Sequence, residues 1–365
     1  MNLLYYNKYK YINNGEKMNI DFLKQLLFSS RIDEVRILGK NKEIDGVVCN
    51  IAALVRYGRE LRLIILAYDE NFQNQIEENE LYERYVKPPD MMTNRMKMKG
   101  KDSIKEVQPF NALKSIHIGD VEFEVRGWER RRLNDQEGEG ILILSELLRN
   151  GWTAEGIDYQ NLDMIFFQSI ELGGDFDKIP DFVDTSLHFV RGNDIITHVA
   201  ELPVTLTVDG EYHDKIWFKN KETGAENWVQ INRVYLMDMW TEMEKTFSEP
   251  RLLEQMTKEE LAAAKRDFEE KFEDICPKGM FYPAIEYECE ENISLQFYTK
   301  SHLDSKTANK NGGIGFIIKP EKATGILGMR LKSSIIQEPV LSDTSVIEAE
   351  LFQYFETVSL DDIVI

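Results

Sequence analysis

The stretch 202–237 reads LPVTLTVDGEYHDKIWFKNKETGAENWVQINRVYLM. Within it, Leu202 to Val208, Lys215 to Lys219 and Trp228 to Met237 alternate apolar and polar side chains at period two. Asp209-Gly210 and Lys221-Glu222-Thr223-Gly224 punctuate the runs, and Ser186 to Arg191 adds another just upstream. Such alternation, broken by turn residues, predicts an antiparallel meander with one solvated face.

Downstream, Thr257 and Glu260 have the spacing of a capping box. Leu261, Ala264, Phe268, Phe272 and Ile275 then form one apolar stripe, so a helix is expected over 257–275. Strands are expected at Ala284–Cys289, Ile293–Tyr298, Ile314–Lys319, Ile326–Leu331 and Ile347–Phe355. Upstream, Leu113–Ile118 and Val121–Arg126 flank Gly119-Asp120 as a hairpin. Gly140–Arg149 reads as a helix and Met164–Ile170 as a strand.

The N-terminal part predicts a helix over Met18–Ser30, a strand at Glu34–Leu38, a hairpin from Val47–Val55 and Leu61–Tyr68, and a helix over Asn71–Val86. Regular βαβ alternation is missing, which argues against a doubly wound sheet. The expected class is therefore α+β. It has a small N-terminal α/β unit (18–86), a basic, methionine-rich linker or loop (87–109), and an antiparallel β-rich region (110–365) with one long inserted helix. Residues 1–17 are expected to be a non-native or disordered leader. Asn14 to Met18 can be encoded by a purine-rich ribosome-binding sequence followed by ATG, which makes Met18 the expected bacterial start.

Among 365 residues, 64 are acidic and 44 basic, for a net charge of -20. Such a chain repels nucleic-acid phosphates and anionic lipid over most of its surface. No apolar run approaches the roughly 18–20 residues needed to cross a bilayer, and no membrane partner is expected. The three cysteines, Cys49, Cys276 and Cys289, are too scattered for a disulfide framework or a CxxC metal site. A reducing cytoplasm is the expected setting, and Cys49 reads as a buried, inert thiol.

No phosphate loop, GxSxG, HExxH or EF-hand signature occurs, and no cofactor is expected. Gly312-Gly313-Ile314-Gly315 precedes a strand pattern and reads as a turn. Glu211, His213 and Asp214 read as turn chemistry, and Asp175, Asp177, Asp181 and Asp184 as an acidic surface loop. His188, Asp194 and His198 are close enough in sequence to converge on zinc or iron, although ordinary hydrogen bonding is the plainer reading. Glu286 and Glu288 share a strand face, a weak signal for acid–base or metal chemistry.

The least bland stretch is Arg126-Gly127-Trp128-Glu129-Arg130-Arg131-Arg132. Arginine forks grip phosphates and tryptophan stacks on bases, so Arg126, Trp128, Arg130, Arg131 and Arg132 are candidate ligand residues. Together with Arg95, Lys97 and Lys99 of the basic segment they would form one cationic groove. The surrounding glutamates offer them internal partners instead.

The leading expectation is a non-catalytic binding or inhibitory protein, from a mobile element or a toxin–immunity locus. It would present an acidic surface to a basic protein partner. One alternative is a hydrolase acting on a phosphate-containing substrate through Arg126–Arg132. Another is a structural component of a phage or other assembly.

Overall fold

A computed structural model describes residues 32–69, 74, 92–101, 107–133, 138–153, 155, 157, 164–221, 223–248, 250, 256–306 and 319–365. The leader, the helix expected at 18–30, the glycine run 312–315, nearly all of the strand expected at 314–319, and all but Asn74 of the helix expected at 71–86 lie outside them. The described elements fall into two compact units.

The first unit holds β1 (Glu34–Ile44), β2 (Val47–Tyr57), β3 (Glu60–Tyr68), β4 (Leu113–Ile118), β5 (Val121–Arg132), β6 (Ile165–Leu172), β7 (Leu187–Arg191) and β16 (Ile363–Val364). They form one eight-stranded antiparallel sheet in the order β1-β2-β3-β6-β5-β4-β7-β16. Helix α2 (Gly138–Arg149) packs Ile143 and Leu147 with Ala52, Ile64, Leu66, Trp152 and Phe167 on one face.

The order puts β1 and β16 at opposite edges, yet Lys42 Nζ on β1 donates to Val364 O on β16 at 2.7 Å. The sheet therefore curls back on itself as a half-barrel. Its seam is bridged by side chains: Arg36 donates to Pro180 O at 2.9 Å, and Glu34 accepts from Ile179 N at 2.9 Å. Closing a seam this way blunts an exposed strand edge.

The second unit holds α1 (Asn94–Lys101), β8 (Asn193–Thr207), β9 (Ile216–Lys219), β10 (Glu226–Met237), α3 (Met239–Phe247), α4 (Lys258–Glu273), β11 (Met280–Cys289), β12 (Ile293–Thr299), α5 (Lys300–Asp304), β13 (Lys332–Ile335), β14 (Val340–Leu341) and β15 (Val346–Ser359). One sheet runs β13-β11-β10-β9 with β14 beside β11, and a second runs β12-β15-β8. Their inner faces share a core that includes Phe218, Val229, Tyr287, Phe297, Leu351 and Tyr354. This is sandwich packing, in which each strand sends alternate residues inward.

These findings correct the α+β expectation: the chain is mostly β. β1, β2 and β3 do not form a separate α/β unit, because β3 pairs with β6 along its whole length. A hairpin is legible locally, but its outer neighbour arrives about a hundred residues later. Nor does one long inserted helix characterise the fold. The expected capping box is present, with Thr257 Oγ1 accepting from Glu260 N and the Glu260 carboxylate accepting from Thr257 N. But α4 has 16 residues, close to ordinary helix length.

The predicted meander is also corrected. β7 pairs with β4, β8 joins β15, and among β7 to β10 only β9 and β10 pair as sequential neighbours. Ile326–Leu331 is a loop rather than a strand. Gly328 takes a positive φ of 79° there, and the Leu327 and Met329 amides turn to a carboxylate instead of a ladder. Finally, part of the basic segment expected as loop is helix α1.

Candidate functional site

Strand alternation splits the arginine cluster. In β5, Arg130 lies opposite Gln168 of β6, Arg131 opposite Phe167, and Arg132 opposite Phe166. Successive side chains point to opposite faces, so Arg131 cannot share a groove with Arg130 and Arg132. The Arg130 guanidinium lies 3.9 Å from the Phe166 ring centroid and donates to Val107 O at 3.2 Å. Burial pushes its pKa down to about 10. On the other face, Arg131 meets Glu129 at 3.1 Å, and Glu129 also takes Arg62 at 3.4 Å. Arg126 and Trp128 are exposed.

The second cationic group belongs to the second unit and is committed there. Arg95 on α1 grips Glu350 of β15 fork to fork, at 2.6 and 2.7 Å, and reaches Asp304 at 3.1 Å. The bond to Glu350 raises the Arg95 pKa despite the burial that opposes it. Lys99 and Lys221 both bond Glu201, and Arg95 lies 3.5 Å from it. Partial burial of Glu201 works against its charge, but the two lysines prevail and bring its pKa down to about 2. Lys97 is exposed on the same helix.

The proposed metal ligands are occupied separately. His188 Nε2 lies 3.0 Å from Asp362 Oδ2, and its ring stacks on His117 across the β4–β7 register at 5.4 Å. His117 in turn lies 3.8 Å from Glu122, its neighbour on β5. The result is a row of carboxylate, imidazole, imidazole and carboxylate on the first unit. His198 belongs to the second unit and meets Glu356 at 2.9 Å while stacking on Tyr354.

The tautomer of His198 follows from its neighbours. Asn220 Oδ1 accepts from Thr223 N, which leaves Asn220 Nδ2 to donate to His198 Nδ1. His198 Nε2–H then donates to Glu356, and both ring nitrogens are engaged. The Asp194 carboxylate accepts from Ile195 N at 2.8 Å. Among the described residues no group of three or more His, Cys, Asp or Glu side chains is arranged to hold a metal ion.

Glu286 and Glu288 acquire a role the sequence did not indicate. Glu288 is fully buried, and its carboxylate accepts from Leu327 N, Met329 N and Asn232 Nδ2 at 2.8 to 3.1 Å. Glu286 accepts from Glu321 N at 3.4 Å. The pair thus clamps the loop 321–331 onto the outer face of β10 and β11. Gly325 is required by this approach, since a Cβ there would fall 2.3 Å from Glu288 Cδ. The glycines at 325 and 328, between an acid-rich strand and β13, were the available sequence signal.

The remaining candidates are tied down locally. Asp175 and Asp177 meet Arg59, Asp181 meets Arg36, and His213 lies 3.3 Å from Glu211. All three cysteines are buried and reduced, and burial pushes the Cys49 pKa up to about 12. The cleft between α3 and α4, lined by Trp240, Met243, Phe247 and Phe268, has a volume of about 10 Å³, room for one water molecule. No protein-family model, curated protein or solved structure matches the chain.

Proposed function

We propose that the protein is a non-catalytic binding protein that presents carboxylates to a basic protein partner. The observation that carries this reading is the internal use of the cations once suspected of binding anions. Arg95 and Lys99 are spent on Glu350, Asp304 and Glu201 inside one unit, and Arg131 on Glu129 in the other. Carboxylates such as Asp214, Glu259 and Glu270 are exposed to water. With a net charge of -20, those carboxylates set the long-range field and steer cationic partners toward the chain.

A pull-down from native lysate at low salt tests the reading. Recovery of a basic protein that raised salt releases supports it. Recovery of no protein partner at low salt sinks it.

A further inference from the structure

One face of the second unit departs from the acidity of the chain. Phe218 of β9 is buried in the core, so Lys215, Trp217 and Lys219 point to the outer face. There Trp217, 58% exposed, lies directly opposite Trp228 of β10, and Lys215 Nζ sits 3.7 Å from the Trp228 ring centroid. On the same face Glu288 and Asn232 hold the loop 321–331, whose tip carries Ile326 and Leu327 at 63% and 44% exposure. Lys319 and Lys322 precede that tip in sequence, Arg330 follows it, and all three are exposed.

The acids on this face are largely accounted for. Glu226 pairs with Lys219, Glu321 pairs with Arg233, and Glu286 and Glu288 are buried beneath the loop. What faces water is Trp217, part of Trp228, two adjacent aliphatic side chains, the two ion pairs Lys219–Glu226 and Arg233–Glu321, and the further cations Lys215, Lys319, Lys322 and Arg330.

We propose that this face docks the protein on an anionic lipid bilayer, with Ile326 and Leu327 entering the acyl boundary and the lysines meeting headgroups. One signal alone gives only marginal membrane binding; stable attachment takes two, such as an apolar insertion and a basic patch, and both are present here. Tryptophan favours the interfacial layer, where its ring is half apolar and its N–H stays wet. The cations are chiefly lysines, point charges on flexible stems that suit a fluid headgroup layer. Lysine is depleted at protein–protein interfaces, which disfavours a protein slot as the occupant.

The net charge of -20 does not prevent contact, because screening confines distant charges to about 8 Å at physiological salt and the local face decides. The clamp by Glu288 fixes the tip before contact, so little ordering is needed on binding. The proposal is independent of the acidic protein-binding surface.

Co-sedimentation of the full chain with vesicles tests it, using phosphatidylcholine alone and phosphatidylcholine mixed with phosphatidylserine. The chain should pellet with the mixed vesicles, not with phosphatidylcholine alone, and high salt should release it. Lys319→Glu or Lys322→Glu should each weaken partitioning by about fivefold or more. The double substitution Ile326→Asp with Leu327→Asp should abolish pelleting while thermal melting stays unchanged, since both side chains are exposed; Trp217→Ala provides a second, milder loss.

Failure to pellet with the mixed vesicles overturns the proposal, as does pelleting that the double substitution leaves intact. Retention on immobilised polyglutamate without vesicle binding also overturns it, and assigns the face to an acidic protein instead.

Discussion

Arg95 and Glu350 lie 255 residues apart in sequence and meet as a bidentate fork at 2.6 and 2.7 Å. The pair anchors helix α1 to β15, with the guanidinium 5.5 Å from the Phe352 ring centroid. Glu350 is buried, and removing its carboxylate takes the bidentate partner from Arg95, leaving Asp304 at 3.1 Å and Glu201 at 3.5 Å. Glu350→Ala should cost about 3 kcal/mol in urea denaturation. Replacing both partners, Arg95→Met with Glu350→Leu, should cost clearly less. Equal losses in the single and double variants would show that the pair is not coupled.

The Glu288 clamp predicts a local effect. Glu288→Ala strands the Leu327 and Met329 amides, for a penalty of about 2 kcal/mol or more. Hydrogen exchange should accelerate at Leu327 and Met329 while β10 and β11 stay protected. Gly325→Ala should give the same pattern, because its Cβ displaces the carboxylate. Unchanged exchange at those two amides in both variants would refute the clamp.

Glu201 predicts a pH dependence. Its folded pKa is lowered from 4.5 to about 2, so the folded state binds the proton less readily than the unfolded one. The stabilisation is therefore complete above about 4.5 and is lost as pH falls toward about 2. Glu201→Gln should lower stability at neutral pH and flatten the acid limb of a stability–pH curve. A parallel downward shift with the slope retained would assign the acid limb to other carboxylates.

The thiols predict a labelling pattern. Cys49, Cys276 and Cys289 are buried, and burial raises the pKa of each. Thiolate is the reactive form, so an alkylating reagent at mildly alkaline pH should modify none of the three in the native protein. All three should react in denaturant. Fast native labelling of Cys49 would contradict its place in the sheet.

Local signals in the sequence were reliable where the physics is local. The turn at Gly119 has φ of 59° and joins Ile118 to Val121 as expected. Gly58 does the same between β2 and β3, and Thr257 caps its helix. Partner choice was not legible. The run 202–237 alternates as a strand pattern must, but the same alternation serves β8 against β15 and β10 against β11.

Charge clusters misled for a related reason. Arg130 and Arg131 are adjacent in sequence and on opposite faces in the sheet, while Arg95 finds its acid far along the chain. Only the folded register reveals which carboxylate answers which cation.

The two units are interleaved along the chain: β1 to β7 and β16 belong to one, and α1 with β8 to β15 to the other. No single cut yields the first unit with all its strands, and a cut that frees β8 to β15 from β1 to β7 leaves α1 behind. During synthesis β16 emerges only after every strand of the second unit has left the ribosome, so the half-barrel waits for its last strand while the sandwich can already close. The Lys42 bridge to Val364 thus forms only after every strand of the sandwich has been made. Released chains shortened to stop before Ile363 should close the sandwich and leave the half-barrel unlatched, and proteolysis of such chains should cut β1 to β7 first.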